Sequence, residues 1–300
     1  MGICVRAVDG GGDGFRRADI WGTGEVVNLK TRPPVSSVGE LLDFTCEELP
    51  AETVGIAFAL AGVIENHNRV VKSPNIHLLD NEPLGELTLI RKRLPTTVCN
   101  DMEAAVTGMS SLAPAYKRFM GITWSSGIGL RFWDNGEILA DSEGGHIPLD
   151  LSPFAPLCGC GRRGCAEAII GGMAIKRRVI AEAEALKIEI PADIDPCKFL
   201  DACFDEQQEW AMKIYGLVTE GMGAFLATIY SLLRIETVIW KGTFGICALH
   251  RIEQSIRHAM ARRLITPESA TSQAWLFSPQ PKVDGLLGAA AILRKNLEKK

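Results

Sequence analysis

Ile3-Cys4-Val5-Arg6-Ala7-Val8-Asp9-Gly10-Gly11-Gly12-Asp13-Gly14 begins as an alternating strand and breaks into a glycine turn. The device returns in Phe119-Met120-Gly121-Ile122-Thr123-Trp124-Ser125-Ser126-Gly127-Ile128-Gly129. After the first turn, short apolar runs at 17–21 and 25–29 read as two more strands of a meander. Ser37-Val38-Gly39-Glu40 has the form of a capping box and predicts a helix over 41–49. A buried strand over 54–61, a helix over 84–94, a strand over 96–99 and a helix over 102–110 complete the set. After the second turn comes a returning strand at 130–133, closed by the hairpin turn Asp134-Asn135-Gly136. Helical periodicity follows at 173–186 and 207–233, then a strand at 235–240 and a last helix at 286–297. The repeated opening predicts an α/β protein with a duplicated βββαβαβα unit and a cleft between the two lobes. The expected lobes are 1–110 and 111–300, with the last helix available to pack back on the first.

Composition narrows the function. At 47% hydrophobic and 23% charged over 300 residues, the chain can bury more than one core, which excludes a disordered protein. With 32 basic against 36 acidic side chains and no long basic run, its surface offers nucleic acid no electrostatic attraction. No stretch reaches the roughly 18 uninterrupted apolar residues of a membrane span, and the opening strand leaves no room for a signal core. A cytoplasmic location with no membrane partner is therefore expected.

Glycines bring backbone amides close to a ligand, which suits phosphate oxygens, and Asp9 at the strand end suits a hydrated Mg²⁺. The same turns also serve a plain flexible hairpin. Asn100-Asp101, between a strand and a helix, is either an ordinary helix cap or a pair whose carboxylate faces substrate and accepts a proton. Nine cysteines in a reducing compartment are not a disulfide framework, and six of them are scattered as core residues. The other three form, with His146, the pattern H-x11-C-x-C-x4-C through Cys158, Cys160 and Cys165. Three thiolates and an imidazole make a closed tetrahedral set that favours a structural Zn²⁺ over a redox pair or chance clustering. Glu143 and Glu167 flank this element, either as surface charges or as acceptors for sugar hydroxyls.

In this order the pieces resemble the ROK family of sugar kinases and sugar-responsive repressors, within the actin-like ATPase (ribonuclease H-like) superfamily. The resemblance spans nearly the whole chain. It rests on Asp9-Gly10-Gly11-Gly12, Ser73-Pro74-Asn75, Asn100-Asp101, Ser126-Gly127-Ile128-Gly129, Glu143-Gly144-Gly145-His146 and the cysteines through Gly164-Cys165-Ala166-Glu167. It implies a two-lobed fold in which Asp101 is the general base. Asn75, Asn100, Glu143, His146 and Glu167 would hold the sugar, with His146 also a zinc ligand. Asp9, Gly11, Gly12, Asp13, Ser126, Gly127, Gly129, Gly242 and Thr243 would contact ATP and Mg²⁺. A homodimer is the family expectation.

Several positions depart from the family pattern. Asp13 stands where Thr or Ser is usual and adds negative charge beside a phosphate site, with Arg16 as the available offset. Ala61 replaces a proline, Ser125-Ser126 replaces Gly-Thr, and Lys241 replaces a glycine. Asp13-Gly14 followed by Arg16 is also similar to the loop of polyphosphate-using glucokinases. The expected activity is ATP-dependent transfer of the γ-phosphate to a hexose, most directly the 6-hydroxyl of glucose. The alternatives are another hexose or amino sugar (fructose, N-acetylglucosamine, N-acetylmannosamine), a polyphosphate donor, or a sugar-binding sensor with weak catalysis. A repressor would carry an added helix-turn-helix, for which no room precedes the first turn.

Overall fold

A computed structural model describes residues 2–11, 13–73, 76–139 and 143–298. It separates into two compact units. The first runs to Lys117 and takes in Trp133–Ile138 and the segment from Ser278 onward, and the second holds Arg118–Phe132 and Leu139–Phe277.

In the first unit, β1 (Cys4–Gly11), β2 (Gly14–Trp21) and β3 (Val26–Arg32) form the meander. They are followed by α1 (Val38–Cys46), β4 (Thr53–Leu60), the small pair β5 (Val63–Glu65) and β6 (Arg69–Lys72), α2 (Leu84–Lys92), β7 (Thr96–Asn100) and α3 (Asp101–Leu112). The sheet order is β3-β2-β1-β4-β7, antiparallel through the meander and parallel from β1 to β7. The capping box forms as read: Ser37 Oγ accepts from the Glu40 N–H and the Glu40 carboxylate accepts from the Ser36 N–H.

The second unit repeats the plan. Its elements are β8 (Arg118–Trp124), β9 (Ile128–Asp134) as far as Phe132, α4 (Ala166–Ile170), α5 (Gly172–Leu186), α6 (Pro196–Asp205) and α7 (Glu209–Leu233), then β11 (Thr237–Lys241), α8 (Thr243–Ala261), α9 (Ser269–Ser272) and β12 (Ala274–Phe277), while the end of β9 and β10 (Glu137–Ile138) are counted with the first unit. The sheet order β10-β9-β8-β11-β12 matches the first sheet position for position. Helix α7 is long and apolar enough, by length and composition alone, to cross a membrane. Here it is a core helix: Ile214, Val218, Met222, Phe225, Leu226 and Ile229 are buried in the second unit's hydrophobic cluster. The reading at 286–297 is α10 (Asp284–Glu298), which covers the first sheet, its Leu286, Ala289, Ala290 and Leu293 packing with Val5, Ala7, Ala57 and Ala59. It crosses α3 closely because Gly288 has no side chain; a Cβ there would lie 1.7 Å from the Ala104 carbonyl oxygen.

One buried polar group ties the meander to α1. Arg6 and Asp19 are 1% and 0% exposed and share a 2.6 Å ion pair across β1 and β2. Arg6 also donates to the carbonyls of Thr45, Glu47 and Glu48, and Arg17 donates to the Glu47 carbonyl, so two guanidinium groups satisfy the end of α1. Asn28 donates to the second Asp19 oxygen at 2.9 Å. Asp19→Ala leaves Arg6 charged and buried without its acid, and is expected to cost about 3–5 kcal/mol. A lower urea midpoint for the first unit checks this, and an unchanged midpoint would contradict it.

Candidate functional site

The parallel strands of the first unit bring three segments to one edge. Gly10 pairs with Leu60, and Leu60 with Asn100, so Asp9-Gly10-Gly11, Ala61-Gly62 and Asn100-Asp101 line the carboxyl ends of β1, β4 and β7. In a parallel sheet covered by helices, that edge is where ligands bind. Asp9 is partly buried, and its Oδ2 takes a 2.7 Å ion pair from Arg16, its direct cross-strand partner. Arg16 also donates to the Lys282 carbonyl at 3.1 Å, just before α10. Arg16 therefore neutralises Asp9, while Asp13 is exposed.

Asn100 is the cap of α3. Its Oδ1 accepts from the Met102 and Glu103 N–H groups at 2.9 and 3.3 Å, and its Nδ2 donates to the Gly62 carbonyl at 2.9 Å. Of the two readings of Asn100-Asp101, the helix cap is the one the structure forms, and the second Nδ2 hydrogen of Asn100 is not used by it. Asp101 is the first residue of α3, where the helix dipole favours negative charge, and its Oδ1 accepts from the Met102 N–H at 2.9 Å. Ser73 fastens the nearby turn by donating to the Ala61 carbonyl and accepting from the Ile76 N–H. Asn75 and Gly12, two of the expected contacts, lie outside the described residues.

In the second unit the turn after β8 rests on α4 and α5. The Ser125 and Ser126 carbonyls accept from the Gly172 and Met173 N–H groups at 2.9 and 2.8 Å, so the turn caps the start of α5. Glu167 Oε2 accepts from the Ile128 N–H at 3.2 Å and lies so near Gly127 that a Cβ there would stand 2.2 Å away. Glu167, expected as a sugar contact, braces the second glycine turn through one carboxylate oxygen. Gly129 lies early on β9, and Gly242 and Thr243 form the junction of β11 and α8.

His146, Cys158, Cys160 and Cys165 converge, with all four ligand atoms within 4.8 Å of one another. The Cys158 Sγ and His146 Nδ1 are 3.5 Å apart, and the Cys160 and Cys165 sulfurs 3.7 Å. Burial pushes the Cys158 thiol up to about 12. Partial burial opposes ionisation of Cys160 as well, but hydrogen bonds from the Arg162 backbone and guanidinium outweigh it and bring that thiol down to about 6. Three sulfurs and one imidazole at this spacing fit a closed Zn²⁺ site, with no fourth position left for water.

Glu143 is 63% exposed, directly before the short turn that carries His146. Its partner is a residue the sequence reading passed over: Arg131, on β9, has its guanidinium 3.6 Å from the Glu143 carboxylate and is itself 5% exposed. The available signal was an arginine between Leu130 and Phe132 on an apolar strand.

A ROK family model matches residues 7–296 of the chain. An N-acetylmannosamine kinase from Escherichia coli (strain SE11) is 27% identical over 300 residues, covering 95% of this chain and 97% of the relative. A ROK family glucokinase from Streptomyces griseus, solved with glucose and AMPPNP, has a TM-score of 0.79 at 22% identity over 97% of this chain and 99% of its own. A ROK hexokinase from Thermus thermophilus has a TM-score of 0.82 at 20% identity, covering 99% and 100%. The fold is that of the two-lobed actin-like ATPases.

Proposed function

The chain belongs to the ROK family, and from that membership we propose that it is an ATP-dependent sugar kinase with N-acetylmannosamine as its leading substrate. The observation that carries the reading is the carboxyl edge of the first sheet, where Asp101 stands at the start of α3 on the same edge as the glycine turn of Asp9, with β4 between them. Phosphoryl transfer needs alignment and charge neutralisation more than covalent chemistry. Asp101 accepts the proton of the attacking hydroxyl, and Asn100 orients that hydroxyl from its free amide hydrogen. Glu143, His146 and Glu167 hold further sugar hydroxyls, and the zinc ligands fix the loop that presents them. The amides of the two glycine turns hold the phosphates. Mg²⁺, when bound, offsets the charge developing on them, and Asp9 would hold it once Arg16 has moved to the phosphates or to Asp13.

The expectation of glucose gives way to N-acetylmannosamine because a relative matching nearly the full chain carries that activity. Specificity is a ratio of kcat/KM values. The test is kcat/KM across N-acetylmannosamine, glucose, N-acetylglucosamine and fructose, each with ATP and with polyphosphate. The largest value is expected for N-acetylmannosamine with ATP. A preference for glucose would restore the hexose reading, and turnover with polyphosphate alone would assign the Asp13 and Arg16 turn to that donor. The ion pair between Asp9 and Arg16 favours one other reading, a sugar-binding sensor with weak nucleotide affinity; sugar binding with no nucleotide binding by calorimetry would select it.

Gly127→Ala is expected to displace the Glu167 carboxylate or the turn itself. A misplacement of that size costs about 10²-fold in kcat/KM, with little change in melting temperature. Wild-type kinetics would remove the second turn from the site.

A further inference from the structure

We propose that the hollow between the cysteine loop and helices α4 and α5 is a binding site for a small organic anion, an oxyanion carried on a compact apolar skeleton. The hollow has a volume of about 500 Å³, within the range of small-molecule sites. Pro156, Leu157, Ala168 and Ala174 supply apolar wall, and Arg177 and Arg178 supply two guanidinium groups; among the described residues no acidic one lines it.

Those two arginines differ from most others in the chain. Arg6, Arg16, Arg91, Arg251, Arg257 and Arg262 each pair with a carboxylate. Among the described residues, the structure gives Arg177 and Arg178 neither an ion pair nor a side-chain hydrogen bond. The Nη1 of Arg178 is buried with no acceptor. A buried donor left unmade costs about 1–3 kcal/mol, and more when it is charged. That Nη1 is closed to water and is not reached from the hollow as it stands, so a carboxylate or phosphate there pairs with the remaining edge of the lining guanidinium groups, whose fork suits either one in a bidentate bond. The apolar wall then selects an anion that carries carbon over inorganic phosphate.

The hollow also touches the parts that hold the second glycine turn. Cys158 lines it and belongs to the four-residue metal cluster. Ala168 follows Glu167, the brace of that turn, and Ala174 lies two residues beyond Gly172, whose N–H donates to the Ser125 carbonyl of the turn. An anion seated here touches both α4 and α5. The binding claim does not rest on the kinase reading, because it is read without turnover.

The experiment is isothermal titration of the full zinc-loaded chain with phenyl phosphate, benzoate and the neutral benzyl alcohol. Either anion is expected to bind with a Kd on the order of 1 mM or tighter, and benzyl alcohol not to bind. Preference for phenyl phosphate assigns a phosphorylated ligand, and preference for benzoate a carboxylated one. Arg178→Met is expected to weaken the anion at least about tenfold. Arg177→Gln, an exposed change, gives the same direction if Arg178→Met fails to fold. Equal binding of benzyl alcohol, no anion binding by 10 mM (about tenfold above the weakest expected Kd), undiminished binding in both variants, or displacement by ATP would each overturn the proposal.

Discussion

Asp101→Asn is expected to keep sugar affinity and lose turnover, with kcat falling by about 10²–10⁴-fold and the KM for sugar nearly unchanged. The substitution exchanges one carboxylate oxygen for an amide nitrogen of the same shape. The remaining oxygen still accepts from the Met102 N–H, and Asn100 still caps α3 through Met102 and Glu103. The cap of α3 is therefore preserved while the carboxylate proposed as the proton acceptor is removed. Steady-state kinetics with calorimetric sugar binding separates the two effects. A variant with near wild-type kcat would remove Asp101 as the base, and one that loses sugar binding and kcat together would make it a binding residue instead.

The second large effect is expected on removing the metal. Between His146 and Cys165 the chain has little core of its own. Leu151, Phe154 and Leu157 are exposed, and Cys158 and Cys165 bury mainly against each other and Ala168. Isolated bridges, Pro148 to Cys165 and Leu157 to Arg163, are its only strand-like pairing among the described residues. The four ligands must then hold it, and structural Zn²⁺ in small sites contributes on the order of 10 kcal/mol. Chelation or Cys165→Ser is expected to release a single Zn²⁺ per chain, lower the melting temperature of the second unit and weaken sugar binding more than about tenfold. Cys165 immediately precedes α4, so the loss carries into Glu167 and the Gly127 turn. Chelated protein that keeps its melting curve and sugar affinity would contradict the structural role.

What was legible in the sequence was local. The capping box at Ser37, the cap at Asn100 and the spacing of His146 with the three cysteines each depend on residues close in the chain, and the structure places them as read. The elements passed over depend on distant partners. β12 is the four residues Ala274–Phe277, too short for a periodic signal, and exists by parallel pairing with β11. Arg257, on the unread helix α8, stacks over Trp275 at 4.0 Å and donates to the Ala270 and Gln273 carbonyls, fixing that strand from outside. The buried pair of Arg6 and Asp19 was hidden for the same reason, since the carbonyls that justify burying Arg6 belong to the end of α1. The bracing role of Glu167 needed the fold of α4 against the second turn, which spacing alone does not show.

The most direct measurement follows phosphorus through the reaction. Zinc-loaded protein is incubated with ATP, Mg²⁺ and N-acetylmannosamine, and the products are read by ³¹P NMR. The account predicts a sugar phosphate ester accumulating in step with ADP, with no ADP formed when sugar is omitted. Inorganic phosphate released at the same rate with and without sugar, or no conversion by folded protein across the sugar panel, would contradict it.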